Sequence, residues 1–415
     1  MNILQRKNKN PDEFDWKRYS YSLCRYHNKR FKEWWDPDKF DWENATKALI
    51  TFCHEYTDIW WDPNKIDWDK YWIYLFENCG KHVHVWLDLD KFDWKKYSFQ
   101  LVKCCGDYIE TWWDPEKFNW DYATGILIRN CSKYFDVWWD PDKINWKVYL
   151  WALARYCSEH FDKWWDPERY NWKDGISTSW SLTCSCKEHF HKWWDPEKYN
   201  WEGESSLLAE HCSEYFDIWW DPDKFNWEGG SRAITEYCSE YISKWWDPEQ
   251  YNWKNGWLLA QWCSEYFNIW WDPDKYNWEN DSGDLARYCH EYFNIWWDPD
   301  RFNWDKHSYA LVEYCSKYIN IWWKPERFNW RNGSKYLAMY CNDHFDIWWN
   351  PERYNWKYDL DGLIKYCLDY IDIWWDVDKI IKNFKDSYIV EIFNNEKIPN
   401  KYKVQLMLLL DRNRG

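Results

Sequence analysis

A chain of 415 residues is longer than one compact hydrophobic core usually holds, so it implies several domains or a repeat array. Its formal net charge of −16 opposes nucleic-acid phosphates and anionic membrane surfaces alike. With 46 tryptophans and 24% aromatic residues it lies outside ordinary globular composition, and no apolar run approaches the ~20 residues of a membrane span.

Residues 1–10 carry Arg and Lys with no apolar run behind them. They read as an N-terminal extension and not as a secretory signal, so the expected location is inside a cell. From Pro11 the chain repeats. Prolines recur at 37, 63, 115, 141, 167, 196, 222, 248, 273, 299, 325 and 351, with Leu89 filling the one missing step, at intervals of 26 residues apart from one of 29 and one of 25. Residues 11–376 are therefore expected to form about fourteen tandem units, and each proline is taken as repeat position 0.

Within a unit, Trp-Trp-Asp-Pro opens a short helical turn, with Asp as N-cap and Pro at the first helical position. Position 4 is Asn or Asp and position 5 is Trp in all fourteen units, from Asp15-Trp16 to Asn355-Trp356. Nine of the 12 glycines cluster near positions 7 to 11, including Gly229, Gly230 and Gly333, and both length changes fall in the same stretch. That reads as a loop. Ser or Thr stands at position 9 in ten units, for example Ser98, Ser231, Ser308 and Ser334, and is expected to cap a long helix over positions 10 to 24. In units without glycine the helix is expected to begin earlier. Apolar residues at 12, 16, 19/20 and 23 keep helical spacing, as in Leu153, Cys157, Phe161 and Trp164, and leave only a narrow polar face.

A 15-residue helix spans about 22 Å, and about ten remaining residues must return that distance, part as a turn and part extended. The expected fold is an all-α solenoid of parallel long helices with irregular return segments. One 20-residue helix per unit, alternately up and down, is the second choice. Residues 377–415 leave the pattern, and Ile380, Ile381, Phe384, Ile389, Ile392 and Phe393 suggest a helical cap over the last unit.

Thirteen of the 16 cysteines share position 16, one per unit. Packed helices lie about 8–10 Å apart, too far for disulfides, so these are expected to be small buried core residues in a reducing compartment. No metal-ligand spacing, phosphate-binding loop or recurring nucleophile–histidine pair is present, so no cofactor, metal or catalytic residue is assigned. Most tryptophans follow the core stripe: those at position 23 are expected to pack inside a unit, and those at 5 and 24 between units. Trp72, Trp151, Trp180, Trp257 and Trp262 fall off the pattern and are better placed for contact.

The polar face is acidic. Position 18 supplies Glu159, Glu188, Glu214, Glu240, Glu265 and Glu291, and position 21 supplies Asp162 and Asp217. Stacking would align them into a stripe suited to a basic protein partner. Position 22 is Ile at 218, 269, 295, 321, 347 and 373, a further contact edge. The leading expectation is a non-catalytic protein-interaction scaffold, with the stripe and variable loops carrying specificity. A tryptophan platform for glycans is the alternative, and an enzyme with a site built only in three dimensions the remote one.

The block Trp-Trp-Asp-Pro-[Asp/Glu]-[Lys/Arg]-aromatic-[Asn/Asp]-Trp resembles Trp-rich tandem-repeat proteins encoded by giant DNA viruses, and the Asn-, Lys-, Tyr- and Ile-rich background is similar to the output of an AT-rich genome. The resemblance covers about residues 11 to 376. It implies work in an infected host cell or a viral particle, and no activity or functional residues.

Overall fold

A computed structural model describes residue 3 and residues 13–170, 172, 178–383 and 386–412. These fall into two compact units, Met1–Asn200 and Trp201–Gly415. Each is an all-α stack of the repeat, and no strand occurs among the described residues.

The repeat starting at Pro299 shows the plan. Asp298 caps a single turn over Pro299–Phe302: its side chain accepts from the Asp300 and Arg301 amides, and its carbonyl from the Phe302 amide. The long helix is Trp304–Tyr314, a 3-10 turn follows at Ser316–Tyr318, and a four-residue helix closes the unit at Ile319–Trp322. Trp323 is extended, two residues before Pro325.

Three expectations are corrected here. The long helix begins at the position-5 tryptophan, in units with glycine and without, and the N-cap is the Asn or Asp before it; in the Pro248 unit a 3-10 turn at Trp253–Asn255 precedes the α-helix Gly256–Trp262, and in the Pro167 unit the described helix is Thr178–Ser185. Asp41, Asp93, Asn226, Asn303 and Asn329 each accept the amide proton three residues on. Ser/Thr at position 9 lies one turn inside the helix and does not cap. Its hydroxyl donates back to the carbonyl of the position-5 Trp, as Ser98 does to Trp94 at 2.6 Å. The helix also stops earlier than expected. Position 16 leaves helical geometry, with Cys315 at φ −117° and ψ 23°. The described glycines of this stretch are not loop residues either: Gly230 and Gly333 sit within helices, where a Cβ would collide with the rings of Phe225 and Phe328, while Gly175 lies outside the described residues.

Inter-repeat bonds explain both ends of the helix. Among the described residues, seven position-4 backbone amides donate to the preceding repeat's position-9 hydroxyl, as Asn303 does to Ser282 and Asn329 to Ser308, both at 3.1 Å. The side-chain amide of an asparagine there donates to the preceding position-6 carbonyl, as Asn303 does to Glu279 at 2.7 Å. At the other end, the position-13 carbonyl is one of the orphans a helix leaves in its last turn. The next repeat's cysteine thiol donates to it: Cys315 to Ala286 at 3.6 Å and Cys367 to Ala338 at 3.6 Å. N-terminal ends meet N-terminal ends and C-terminal ends meet C-terminal ends, so successive long helices run parallel, and the up-and-down arrangement is excluded.

The tryptophan at position 23 fastens each unit to itself. In all fourteen repeats its indole N–H donates to the position-16 carbonyl, as Trp322 does to Cys315 at 2.8 Å, and the ring is almost fully buried. The tryptophan at position 24 meets the next repeat's position-5 tryptophan edge to face, as Trp297 meets Trp304 at 5.7 Å. The aromatic residue at position 20 is sandwiched between the position-24 indole of its own repeat and the position-19 ring of the next: Phe293 stacks on Trp297 at 5.1 Å and on Tyr318 at 4.5 Å. His160 and His189 serve as that outer ring against Phe135 and Phe161.

Asparagine at position 4 thus caps one helix and holds another. Asn303→Asp keeps the cap but replaces the donor facing the Glu279 carbonyl with an oxygen. A loss of about 1–2 kcal/mol is expected, read as a lower urea midpoint by circular dichroism. An unchanged midpoint would show that this side-chain bond carries no weight.

After the last repeat, helices follow at Val377–Lys382, Asp386–Asn394 and Asn400–Arg412. Ile380 and Ile392 are buried, and Tyr402 packs on Trp375 at 4.9 Å between ring centroids. The side chains of Phe384 and Ile389 lie outside the described residues, as does the extension over 1–10 apart from residue 3.

Candidate functional site

The 3-10 turn at positions 17–19 and the short helix at positions 20–23 present positions 18, 21 and 22 at the edge of each repeat, and the acidic residues lie at the first two. Position 18 is the middle of the 3-10 turn and position 21 the second residue of the short helix. The first unit carries Glu159, Asp162 and Glu188, and the second carries Glu214, Asp217, Glu240, Glu265 and Glu291, all exposed. Ring stacking between positions 20 and 19 of neighbouring repeats sets these edges side by side within each unit.

The eight differ in whether a base pairs with them. Asp162 pairs with Lys192 and Asp217 with Lys244, in each case the base at position 22 of the next repeat. Lys192 holds the Asp162 carboxyl below the usual range. Glu291 pairs with Lys317 at 3.1 Å, which lowers it likewise. Glu159, Glu188, Glu214, Glu240 and Glu265 make no ion pair among the described residues. The position-22 isoleucines stand beside them: Ile218, Ile269, Ile295, Ile321 and Ile373 are 42 to 62% exposed, enough to count as surface rather than packing, while Ile347 is half-buried. Of the off-pattern tryptophans, Trp151 and Trp262 are exposed, and Trp72, Trp180 and Trp257 are half-covered.

The proline turns form a second surface, and sequence spacing alone did not reveal it. At seven junctions the base at position 2 reaches back to the preceding position-0 carbonyl, as Arg169 does to Pro141 at 3.0 Å and Lys379 to Pro351 at 2.8 Å. Most also pair with the preceding acid at position 1, for example Arg301 with Asp274 at 2.8 Å and Lys379 with Glu352 at 2.6 Å. Arg169 and Lys379 lie over the rings of Trp146 and Trp356 on the way. At least ten position-5 indoles among the described residues donate to the position-0 carbonyl of their own repeat.

One polar cluster breaks the repeat. Asp281 is 8% exposed, and one of its carboxylate oxygens has no hydrogen-bond partner. Burial, and then the charge of Asp284, pushes its carboxyl up to about 6. Burial also raises Asp284 and lowers His307, which beside Arg287 line a cavity of about 80 Å³. An acid raised in the folded state favours folding below its unfolded value and opposes it as pH climbs toward 6. Asp281→Asn should therefore stabilise the protein by about 1–3 kcal/mol at pH 7.5 and by nothing near pH 4. Urea unfolding at the two pH values reads this out, and an equal effect at both would refute it.

Among the described residues, no group of three His, Cys, Asp or Glu is placed to hold a metal ion. The described cysteines form no disulfide, and all are buried except Cys104 and Cys184, which are half-buried. His82 is buried against Asp58, with Nδ1 at 3.0 Å from Oδ1. No described helix is long and apolar enough to cross a membrane. Comparison with protein-family models, with curated proteins and with solved structures finds no match to this chain.

Proposed function

We propose that the chain is a non-catalytic scaffold that binds a basic protein partner along the position-18 ribbon, with no cofactor. The observation that supports this best is in the second unit, where Glu214, Glu240 and Glu265 stand unpaired beside the exposed Ile218, Ile269 and Ile295. A carboxylate row flanked by an apolar row suits a basic amphipathic segment. Charge steers it in, and isoleucine burial holds it. The free, buried thiols support a reducing, intracellular setting. On the resemblance of its repeat block to viral repeat proteins, the setting would be an infected host cell or a viral particle.

Affinity capture from cell extract at increasing ionic strength tests the proposal, comparing the wild type with a variant carrying lysine at 214, 240 and 265. Basic partners should be lost as salt rises and should not bind the variant. Partners held equally by both proteins at all salt concentrations would exclude the ribbon as the binding surface.

A further inference from the structure

The junction between the turns at Pro63 and Leu89, within the first unit, differs from the bridged ones. Asn64 replaces the acid found at position 1 in the other thirteen repeats, and Leu87-Asp88-Leu89 replaces Trp-Asp-Pro. Lys91, the base due to cross this junction, instead pairs within its own turn, with Asp88 at 3.2 Å. Its side chain is 87% exposed, against 24% for Lys379 and 29% for Lys275, which do cross. Trp68 also departs from the pattern. Its ring packs on Trp86 and Phe76, and among the described residues its indole makes no bond to the Pro63 carbonyl. What remains is a groove of about 290 Å³, walled by Trp61, Pro63, Ile66, Trp68, Trp86, Leu87 and Phe92 and lined also by the paired Asp88 and Lys91.

We infer that this groove receives a basic side chain, an arginine in the first instance, presented by another polypeptide. The other junctions show what such a groove accepts. At the turn between Trp139 and Arg169 the space is similar, about 300 Å³, but it is lined by the chain's own Arg169, which lies over Trp146 and donates to Pro141. At Pro63 the aromatic walls and the backbone acceptor are present, and the internal cation, Lys91, lines the groove held by Asp88 and makes no bond to the Pro63 carbonyl among the described residues. A guanidinium entering here gains the ring faces and the Pro63 carbonyl, in a chain whose net charge of −16 draws cations toward it. The groove uses residues other than the position-18 ribbon, so it stands whether or not that ribbon binds.

The test is titration of the full chain with the peptide acetyl-Gly-Gly-Arg-Gly-Gly-amide and with its citrulline counterpart, which has the same shape and no charge, read by calorimetry. The wild type should bind one arginine peptide per chain and the citrulline peptide about tenfold more weakly. Asn64→Glu supplies the missing acid and should draw Lys91 across the groove as Glu352 draws Lys379. Binding should fall about tenfold, because an internal cation competes at high effective concentration. Simple charge attraction predicts the opposite, since this variant is more acidic. Leu87→Trp, which restores the residue found in the other thirteen repeats, should also weaken binding. Equal affinity for the citrulline peptide, or unchanged or tighter binding to Asn64→Glu, would overturn the inference.

Discussion

Trp322→Ala is expected to cost about 3–5 kcal/mol, the range for emptying a large, fully buried aromatic site. Trp322 has no measurable exposure, and its N–H holds the Cys315 carbonyl at 2.8 Å. That bond ties the short helix back to the point where the long helix ends, so the alanine variant loses both packing and the fold-back of the chain. Trp322→Phe should recover most of the packing but not the bond, and should lie between the two. Each repeat is stabilised mainly by its neighbours, so the damage should spread to the adjoining repeats before it reaches distant ones. Urea unfolding gives the total, and native-state hydrogen exchange gives its spread. Trp262→Ala, at a 43% exposed indole, is the control and should change stability by less than about 0.5 kcal/mol. A core-sized loss at Trp262, or a surface-sized loss at Trp322, would contradict this account of the packing.

Raising the pH should unfold the array well before backbone chemistry intervenes. Burial pushes the thiols of Cys131, Cys157, Cys186, Cys238, Cys263, Cys315, Cys341 and Cys367 from 9.0 up to about 12, and that of Cys79 to about 11. A thiol raised in the folded state has no effect while both states stay protonated, below about pH 9. Above that the unfolded chain ionises first, and each such cysteine removes up to about 1.4 kcal/mol of stability per pH unit until the folded value is reached. The several such cysteines in each unit together exceed the 5–15 kcal/mol typical of a domain within about one to two pH units. Cooperative loss of helical ellipticity is expected between about pH 10 and 11, reversible in the presence of reductant. Cys315→Ala should reduce the proton linkage by one. Full helicity held to pH 11 would show that these thiols do not control folding.

The period, the all-helical character and the parallel stacking were legible because they depend on spacing, which repeats fourteen times and averages away local exceptions. The helix ends were not. Both Asn303 and Ser308 are cap-forming types, and residue preference cannot rank them. The choice is made by the neighbouring repeat, which leaves the serine hydroxyl serving Trp304 and Asn329 while the asparagine caps. Gly333 reads as a loop residue by type, yet it lies in a helix because the Phe328 ring needs its missing side chain. The stop at Cys315 depends on a thiol bond and an indole bond that exist only after stacking. The exposure of Glu214 and Glu240 follows from their helical face. The neutralisation of Asp217 by Lys244 required knowing which repeat position comes to rest beside which.

The bonds between repeats also have a direction. Asn303, Arg301 and Cys315 all contribute hydrogens to the repeat before them, which contributes mainly oxygens. Such a module has unlike ends, and copies of it would join only front to back, a contact that closes into a ring or extends as a filament according to the rotation per step. At the terminal repeat the hydrogen-accepting end is engaged. Lys379 takes the Pro351 carbonyl and Glu352, and Lys401 and Tyr402 take Asp372. Shortened after residue 376, the protein would present that end bare, yet its own front would not match it: the first repeat carries Glu13, Asp15 and His27 at the positions from which Arg301, Asn303 and Cys315 donate.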